Sequence, residues 1–251
     1  MRKTFFAFAT AGLLMLVGCT TYQAPAATPA SDPTLVGMYE ARYSDDGIAT
    51  VHEYVLFPDG YFQETIVYAD EDEPYYDFGV YRFLADESSI EFFFIDADSR
   101  DYNFVGLRDV GGDTFSDGLN DFARTGSQED VSALTASDLS VAGTYLLTYE
   151  SDGEDVYYIM TLDSDGTFVE WSVYPDDVEL FSDSGRYDRA SGSGITQFSY
   201  DDWPEGNFVG RVDGSTLNSI EGRYVALDPD GDAALDDLPP LVRSLLSQQA
   251  E

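Results

Sequence analysis

The feature that most constrains this chain is a duplication. Shifted by 106 positions, residues 39–83 fall on residues 145–189 without a gap, and sixteen of the forty-five aligned pairs are identical. The shared positions include Tyr39/Tyr145, Asp46-Gly47/Asp152-Gly153, Asp59-Gly60/Asp165-Gly166, Phe62/Phe168, Glu64/Glu170, Val67-Tyr68/Val173-Tyr174, Gly79/Gly185 and Tyr81/Tyr187. A repeat of this length is one structural unit used twice, so both halves must reach the same fold.

The unit reads as antiparallel β. Short alternating apolar runs are separated by turn signals, and four of the turns are Asp-Gly pairs, in which Gly supplies the positive φ of a tight hairpin. Strands are expected at 37–43, 50–57, 61–68, 78–84, 89–95, 102–108, 113–115 and 120–124. In the second half they are expected at 143–149, 156–162, 167–174, 185–189, 194–199, 207–212, 215–217 and 222–227. Eighteen Tyr and seventeen Phe suit strands better than helices. Later in the repeat the offset falls to 104 (Asn103-Phe104 on Asn207-Phe208) and then to 102 (Thr114 on Thr216, Phe122 on Tyr224). Each step is two residues, which keeps every side chain on its face of the sheet. The predicted class is therefore all-β, two tandem antiparallel meander or barrel repeats followed by a short C-terminal helix. Parity places Tyr39, Tyr43, His52, Tyr54, Phe62, Glu64 and Tyr68 on one face, with Tyr145, Tyr149, Tyr158, Phe168, Glu170 and Tyr174 matching them. Two separate barrels and one larger sheet built from both halves remain open.

Residues 1–18 read as a signal peptide, with Arg2 and Lys3 before an apolar run at 4–16 that is short for a membrane span. The run ends in Leu16-Val17-Gly18-Cys19, which resembles the lipobox of bacterial lipoproteins at all four positions. The resemblance implies lipidation of Cys19, the only cysteine, and cleavage before it. Thr20 in the following position implies the outer membrane, with the protein facing periplasm or cell surface. Several acyl chains anchor a protein without any protein span, at about 0.8 kcal/mol per buried CH₂. Residues 19–33, rich in Ala, Pro and Thr, read as a disordered tether. The remainder divides into a first repeat at 34–128, a linker at 129–139, a second repeat at 140–228, and an acidic turn with a C-terminal helix at 229–251.

A second resemblance lies in the repeats. Gly37-Met38-Tyr39, Asp59-Gly60-Tyr61-Phe62 and Gly79-Val80-Tyr81 recur as Gly143-Thr144-Tyr145, Asp165-Gly166-Thr167-Phe168 and Gly185-Arg186-Tyr187. This pattern resembles the small lipocalin-like β-barrel domains of bacterial envelope lipoproteins. A C-x-x-C found in one such barrel is missing here, so thiol metal sensing does not transfer.

Forty-eight acidic residues against 12 basic ones give a net charge of −36; removing Arg2 and Lys3 takes it to −38. Such a chain is a poor partner for nucleic acid, whose phosphates need cations. The acids suit either a solvated, self-repelling surface or the recruitment of cationic partners.

No catalytic set stands out. His52 is the only histidine, and no cysteine nucleophile or phosphate loop is present. The chain reads as a non-catalytic binder or scaffold, with a small apolar ligand or an envelope protein as partner. The alternative is a hydrolase that attacks envelope polysaccharide through paired carboxylates. Candidate ligand-binding residues are Glu64, Glu170, Tyr54, Tyr68 and Tyr174. The glutamates either anchor a ligand in the interior, paired with an arginine such as Arg42, Arg82 or Arg186, or face solvent. The barrel interior is either solid or a partly open amphipathic cavity. No cofactor is expected. Asp228, Asp230 and Asp232 resemble part of a calcium loop, but Ala226 falls on the first ligand position and Asp237 replaces the final Glu.

Overall fold

The structure is a computed structural model, and it describes residues 26–27, 32–71, 73–84, 89–95, 104–108, 113–135, 141–151, 154–174, 181–202, 207–227, 240 and 242–244. Two closed eight-stranded antiparallel barrels follow one another along the chain. The first consists of β1 (Gly37–Asp45), β2 (Ile48–Leu56), β3 (Tyr61–Tyr68), β4 (Tyr75–Leu84), β5 (Ser89–Phe94), β6 (Phe104–Arg108), β7 (Thr114–Ser116) and β8 (Asp121–Gly126). The second consists of β9 (Gly143–Ser151), β10 (Glu154–Leu162), β11 (Thr167–Val173), β12 (Phe181–Arg189), β13 (Ile195–Tyr200), β14 (Asn207–Asp213), β15 (Thr216–Ser219) and β16 (Gly222–Leu227). Each is an up-and-down meander whose last strand closes on its first, β8 on β1 and β16 on β9. The choice between two barrels and one shared sheet is thereby decided for two.

The repeated motifs are the hardware of one end of each barrel, the base. Tyr39 Oη donates to the Leu35 carbonyl at 2.9 Å, and Tyr145 Oη donates to the Val141 carbonyl at 3.0 Å, 106 residues on. Tyr81 Oη donates to Phe57 O at 2.7 Å, and Tyr187 Oη to Asp163 O at 2.5 Å. These four phenols bolt the base shut, so the G-x-Y tyrosines satisfy their hydroxyls without water. The glycines ahead of Tyr81 and Tyr187 make room for the D-G-x-F ring. Phe62 pairs with Gly79 and Phe168 with Gly185 across the sheet. A Cβ at Gly185 would stand 2.8 Å from Phe168 Cε1. Gly60 and Gly166 take φ +88° and +85° in the Asp-Gly turns. A 3-10 turn at Pro33–Leu35 plugs the base of barrel one, and Arg124 lies 4.7 Å over the Tyr39 ring while donating to Val36 O at 2.9 Å.

Aromatic rings fill the axis of barrel one. Tyr54 touches Phe92, Phe115 and Phe122 at centroid distances of 5.3, 5.5 and 5.1 Å, and Phe115 stacks on Phe122 at 4.7 Å. Barrel two packs Phe168, Phe198, Phe208, Met160, Leu217 and Tyr224 in the same space. Among the described residues, side chains fill both interiors, as an eight-stranded barrel allows.

The barrels pack side by side. Val55, Phe57 and Phe78 on the outer wall of barrel one meet Ile195 and Val209 on that of barrel two; both phenylalanines are 0% exposed. Between them sits helix α1 (Gln128–Thr135), which buries Val131 and is capped by Ser127. Ser127 N donates to Asp130 Oδ2 at 2.6 Å and Asp130 N donates back to Ser127 Oγ at 3.3 Å, a reciprocal cap. Arg211 ties the parts together. Its Nε reaches Ser193 O at 3.0 Å, Nη2 reaches Leu134 O at 3.1 Å, and its Cζ lies 5.4 Å over Phe57. Residues 129–135 of the expected linker thus form a wedge between the barrels.

Residue 240 and residues 242–244 are helical, within the stretch where the C-terminal helix is expected. Val242 packs against Tyr157, Ile159 and Val173 on the side wall. Those positions point outward from β10 and β11 and are apolar, so Val242 covers part of that wall.

Candidate functional site

At the end opposite the base, the repeat keeps a second set of residues. Tyr43/Tyr149, His52/Tyr158, Tyr68/Tyr174 and Tyr75/Phe181 are all related by 106 and are all ring-bearing. They come from the ends of strands that turn at residues 46–47 and 69–74 in barrel one, and from the matching strands of barrel two. Tyr68 packs edge-on to Tyr75 at 5.8 Å, and Tyr149 stacks on Tyr158 at 5.6 Å with 12° between planes. Tyr75, Tyr149 and Phe181 are exposed. Below these rings, deeper along the axis, lie Glu64 and Glu170, each 7% exposed.

Alternation along β3 and β11 aims both glutamates inward with Phe62 and Phe168. The solvent-facing alternative is therefore overturned. So is the arginine partner: Arg42 binds Glu40 and Arg82 binds Glu91, both at the surface. The carboxylates are held by phenols and an imidazole instead. His52 Nε2 lies 2.6 Å from Glu64 Oε1, the Tyr54 hydroxyl donates to the same oxygen, and Tyr43 Oη lies 3.4 Å from His52 Nδ1. In barrel two, Tyr200 Oη donates to Glu170 Oε2 at 2.7 Å and Tyr224 Oη donates to Oε1 at 3.1 Å. Tyr224 Oη also lies 3.1 Å from Glu221 Oε2.

The donors have changed places between the repeats. Tyr54 corresponds to Met160 and His52 to Tyr158, while Tyr200 and Tyr224 correspond to Phe94 and Phe122. Only the carboxylate is kept. Sequence parity placed His52 and Tyr54 on the face of Glu64 but missed the donors of Glu170, Tyr200 and Tyr224, which come from 30 and 54 residues away. The offset of 102 that pairs Phe122 with Tyr224 was the available signal.

Burial dominates the electrostatics. It pushes the Glu170 carboxyl up to about 7, aided by the negative charge of Glu221 and opposed by the Tyr200 and Tyr224 hydrogen bonds. Burial also raises the phenols of Tyr54, Tyr200 and Tyr224 well above the usual tyrosine range, with the neighbouring glutamate adding to it.

The other sequence-predicted residues fall as follows. Tyr54 is 1% exposed and belongs to the core beneath the ring layer, so it holds Glu64 rather than facing a ligand. Tyr68 and Tyr174 are half-buried in the ring layer itself, with Tyr158 Oη 3.4 Å from Tyr174 Oη. Beside the layer in barrel one is a shallow cleft of about 440 Å³ between Arg42, Tyr43, Val51 and Val67. Cys19, Asp228, Asp230 and Asp232 lie outside the described residues. Among the described residues no three His, Cys, Asp or Glu side chains converge as metal ligands.

Fold and site together define a class: a tandem of eight-stranded antiparallel barrels, each with a phenol-bound carboxylate inside it. No protein-family profile and no curated protein matches the chain. It is similar to the crystal structure of a protein with unknown function from the DUF3598 family of Nostoc punctiforme. That match covers 78% of this chain and 99% of the other, at 11% identity and a TM-score of 0.24. A likeness at that score carries no information about activity.

Proposed function

We propose that the protein is a lipid-anchored component of the bacterial cell envelope with a non-catalytic binding or scaffolding role. The address rests on the lipobox Leu16-Val17-Gly18-Cys19, the Arg2-Lys3 start and the Ala/Pro/Thr-rich stretch at 19–33. It puts the protein on the outer membrane, with an apolar small molecule or an envelope protein as its partner. The observation that supports binding is the recurrence, in both barrels, of a ring layer above a buried glutamate. Because rings fill the axes, a ligand is held at this end and not in a lumen.

Titration with an environment-sensitive lipid probe tests the binding role, in the parent and in Glu64→Gln and Glu170→Gln. Saturable binding weakened by either substitution is the expected result; no saturable binding in the parent removes the role. Fatty-acid labelling tests the address. It is expected in the parent and lost in Cys19→Ala; an unlabelled parent removes the anchor.

One observation favours the hydrolase as a second reading: Glu170 and Glu221 share the Tyr224 hydroxyl. Release of reducing ends from envelope glycan by the parent, abolished in Glu221→Gln, would select it over the first.

A further inference from the structure

We infer that the Tyr43 hydroxyl is a nucleophile that takes a small apolar acyl group from an activated ester, with His52 as its base. The inference goes beyond the binding role proposed above and does not depend on it.

Side chains of barrel one stand in a row from the core to the surface. Glu64 Oε1 accepts from the Tyr54 hydroxyl and lies 2.6 Å from His52 Nε2, and His52 Nδ1 lies 3.4 Å from Tyr43 Oη. A carboxylate oxygen that takes both donors puts the imidazole proton on Nε2 and leaves the Nδ1 lone pair facing the Tyr43 hydroxyl. Hydroxyl, imidazole and carboxylate in that order make a nucleophile, a base and the group that orients the base. The outer contact is loose, as such contacts often are before a substrate is bound. Packing fixes the imidazole: His52 is 6% exposed, edge-on to Phe122 at 4.9 Å and tilted against Tyr54 at 5.0 Å. Glu64 is therefore a positioning residue, and His52 is the group that moves the proton.

Tyr43 is the member of the row that meets the surface. It is half-buried and lines the shallow cleft of about 440 Å³ together with Val51, Val67 and Ala69. That apolar lining suits a small acyl group and lies beside the hydroxyl that would receive it. Burial, then Tyr68, Asp45 and Asp117 nearby, raise the Tyr43 phenol, so the hydroxyl keeps its proton until a base takes it. In the step, Tyr43 Oη bonds to the acyl carbon while its proton passes to His52 Nδ1. The bond from the acyl carbon to the leaving oxygen then breaks, and that oxygen takes the proton from Nδ1. An ester on Tyr43 and a free alcohol result.

Barrel two holds the control. Tyr149 occupies the Tyr43 position and is 39% exposed, but Tyr158 stands where His52 stands. Tyr149 Oη lies 3.4 Å from that phenol, which is no base for it. Accessibility alone therefore favours reaction at Tyr149, and base activation favours Tyr43.

The full chain is treated with p-nitrophenyl acetate, and the rate of acetylation at each tyrosine is read by peptide mass spectrometry. Tyr43 is expected to react about a hundredfold faster than Tyr149, the low end of what a positioned base contributes. His52→Gln and His52→Tyr, the second of which installs the barrel-two pairing, are each expected to bring Tyr43 down to the rate of Tyr149 while the β circular dichroism is kept. Equal rates at Tyr43 and Tyr149 in the parent overturn the inference, and that comparison needs no variant. A fast Tyr43 that stays fast in both His52 variants overturns it as well, since the reactivity then owes nothing to the imidazole. The lipid probe decides the binding role separately.

Discussion

Glu64 and Glu170 occupy one position of the repeat and are held by different hands. A carboxylate buried without donors is costly, so each barrel must supply them from somewhere. Barrel one uses the strand beside it, with His52 and Tyr54 on β2; barrel two uses Tyr200 on β13 and Tyr224 on β16. The phenols do not fully replace water, and the Glu170 carboxyl rises to about 7. A carboxyl raised in the folded state holds its proton where the unfolded chain has lost it. Stability therefore falls as pH climbs from the ordinary glutamate value of 4.5 towards 7, and this group adds no further slope above that. The groups facing it are Tyr200, Tyr224, Glu221 and Asp183. Glu170→Gln removes this slope. We expect the variant to match the parent near pH 5 and exceed it at pH 8 by roughly 1–3 kcal/mol, the upper end being the full shift at 1.36 kcal/mol per pH unit. Chemical denaturation at both pH values measures it, and parallel pH slopes in parent and variant would refute it.

At the scale of strands and turns, the repeated motifs prove to be fasteners rather than ligands. Gly79 and Gly185 exist because Phe62 and Phe168 lie across them, against the Phe93 and Ser199 carbonyls of the next strand. Gly79→Ala and Gly185→Ala should each destabilise by about 1–3 kcal/mol, read as a lower denaturant midpoint; a neutral effect would show that the ring can shift aside. This level was largely legible beforehand. Alternation gave sixteen strands and the inner face, and Asp-Gly pairs gave the hairpins, because both are properties of neighbouring residues. The seam between barrels was not. It depends on outward residues, and alternation assigns those to water. One sign was present: Tyr54-Val55-Leu56-Phe57 is apolar at four successive positions, the pattern of a strand covered on both sides, and all four are buried. Helix α1 forms at Gln128–Thr135, within the stretch read as a linker, and its role as a wedge needs the two walls it fills.

For the molecule as a whole, closure of each barrel and independence of each barrel are different things. Every strand edge is paired within its own half. Yet Phe57, Phe78, Ile195 and Val209 are covered only because the halves touch. Halves expressed separately, 34–135 and 141–251, should each keep β circular dichroism but should precipitate or self-associate alone. Mixed, they should recover a one-to-one complex by size-exclusion chromatography. Two monomeric halves that ignore each other would show the seam to be dispensable. Aggregation of the separate halves would not imply a shared sheet, since an uncovered apolar wall gives the same result.

The plug at Pro33–Leu35 enters barrel one through its bolted base, and β1 runs from there towards the ring layer. Whatever grips the chain ahead of residue 33 therefore grips the barrel by its foot. A pull on the chain ahead of Pro33 would load Tyr39, Arg124 and the Leu35 carbonyl first, at the end of barrel one opposite its ring layer. Under the anchoring proposed above, the base of barrel one would face the surface that holds it and the ring layer would face away.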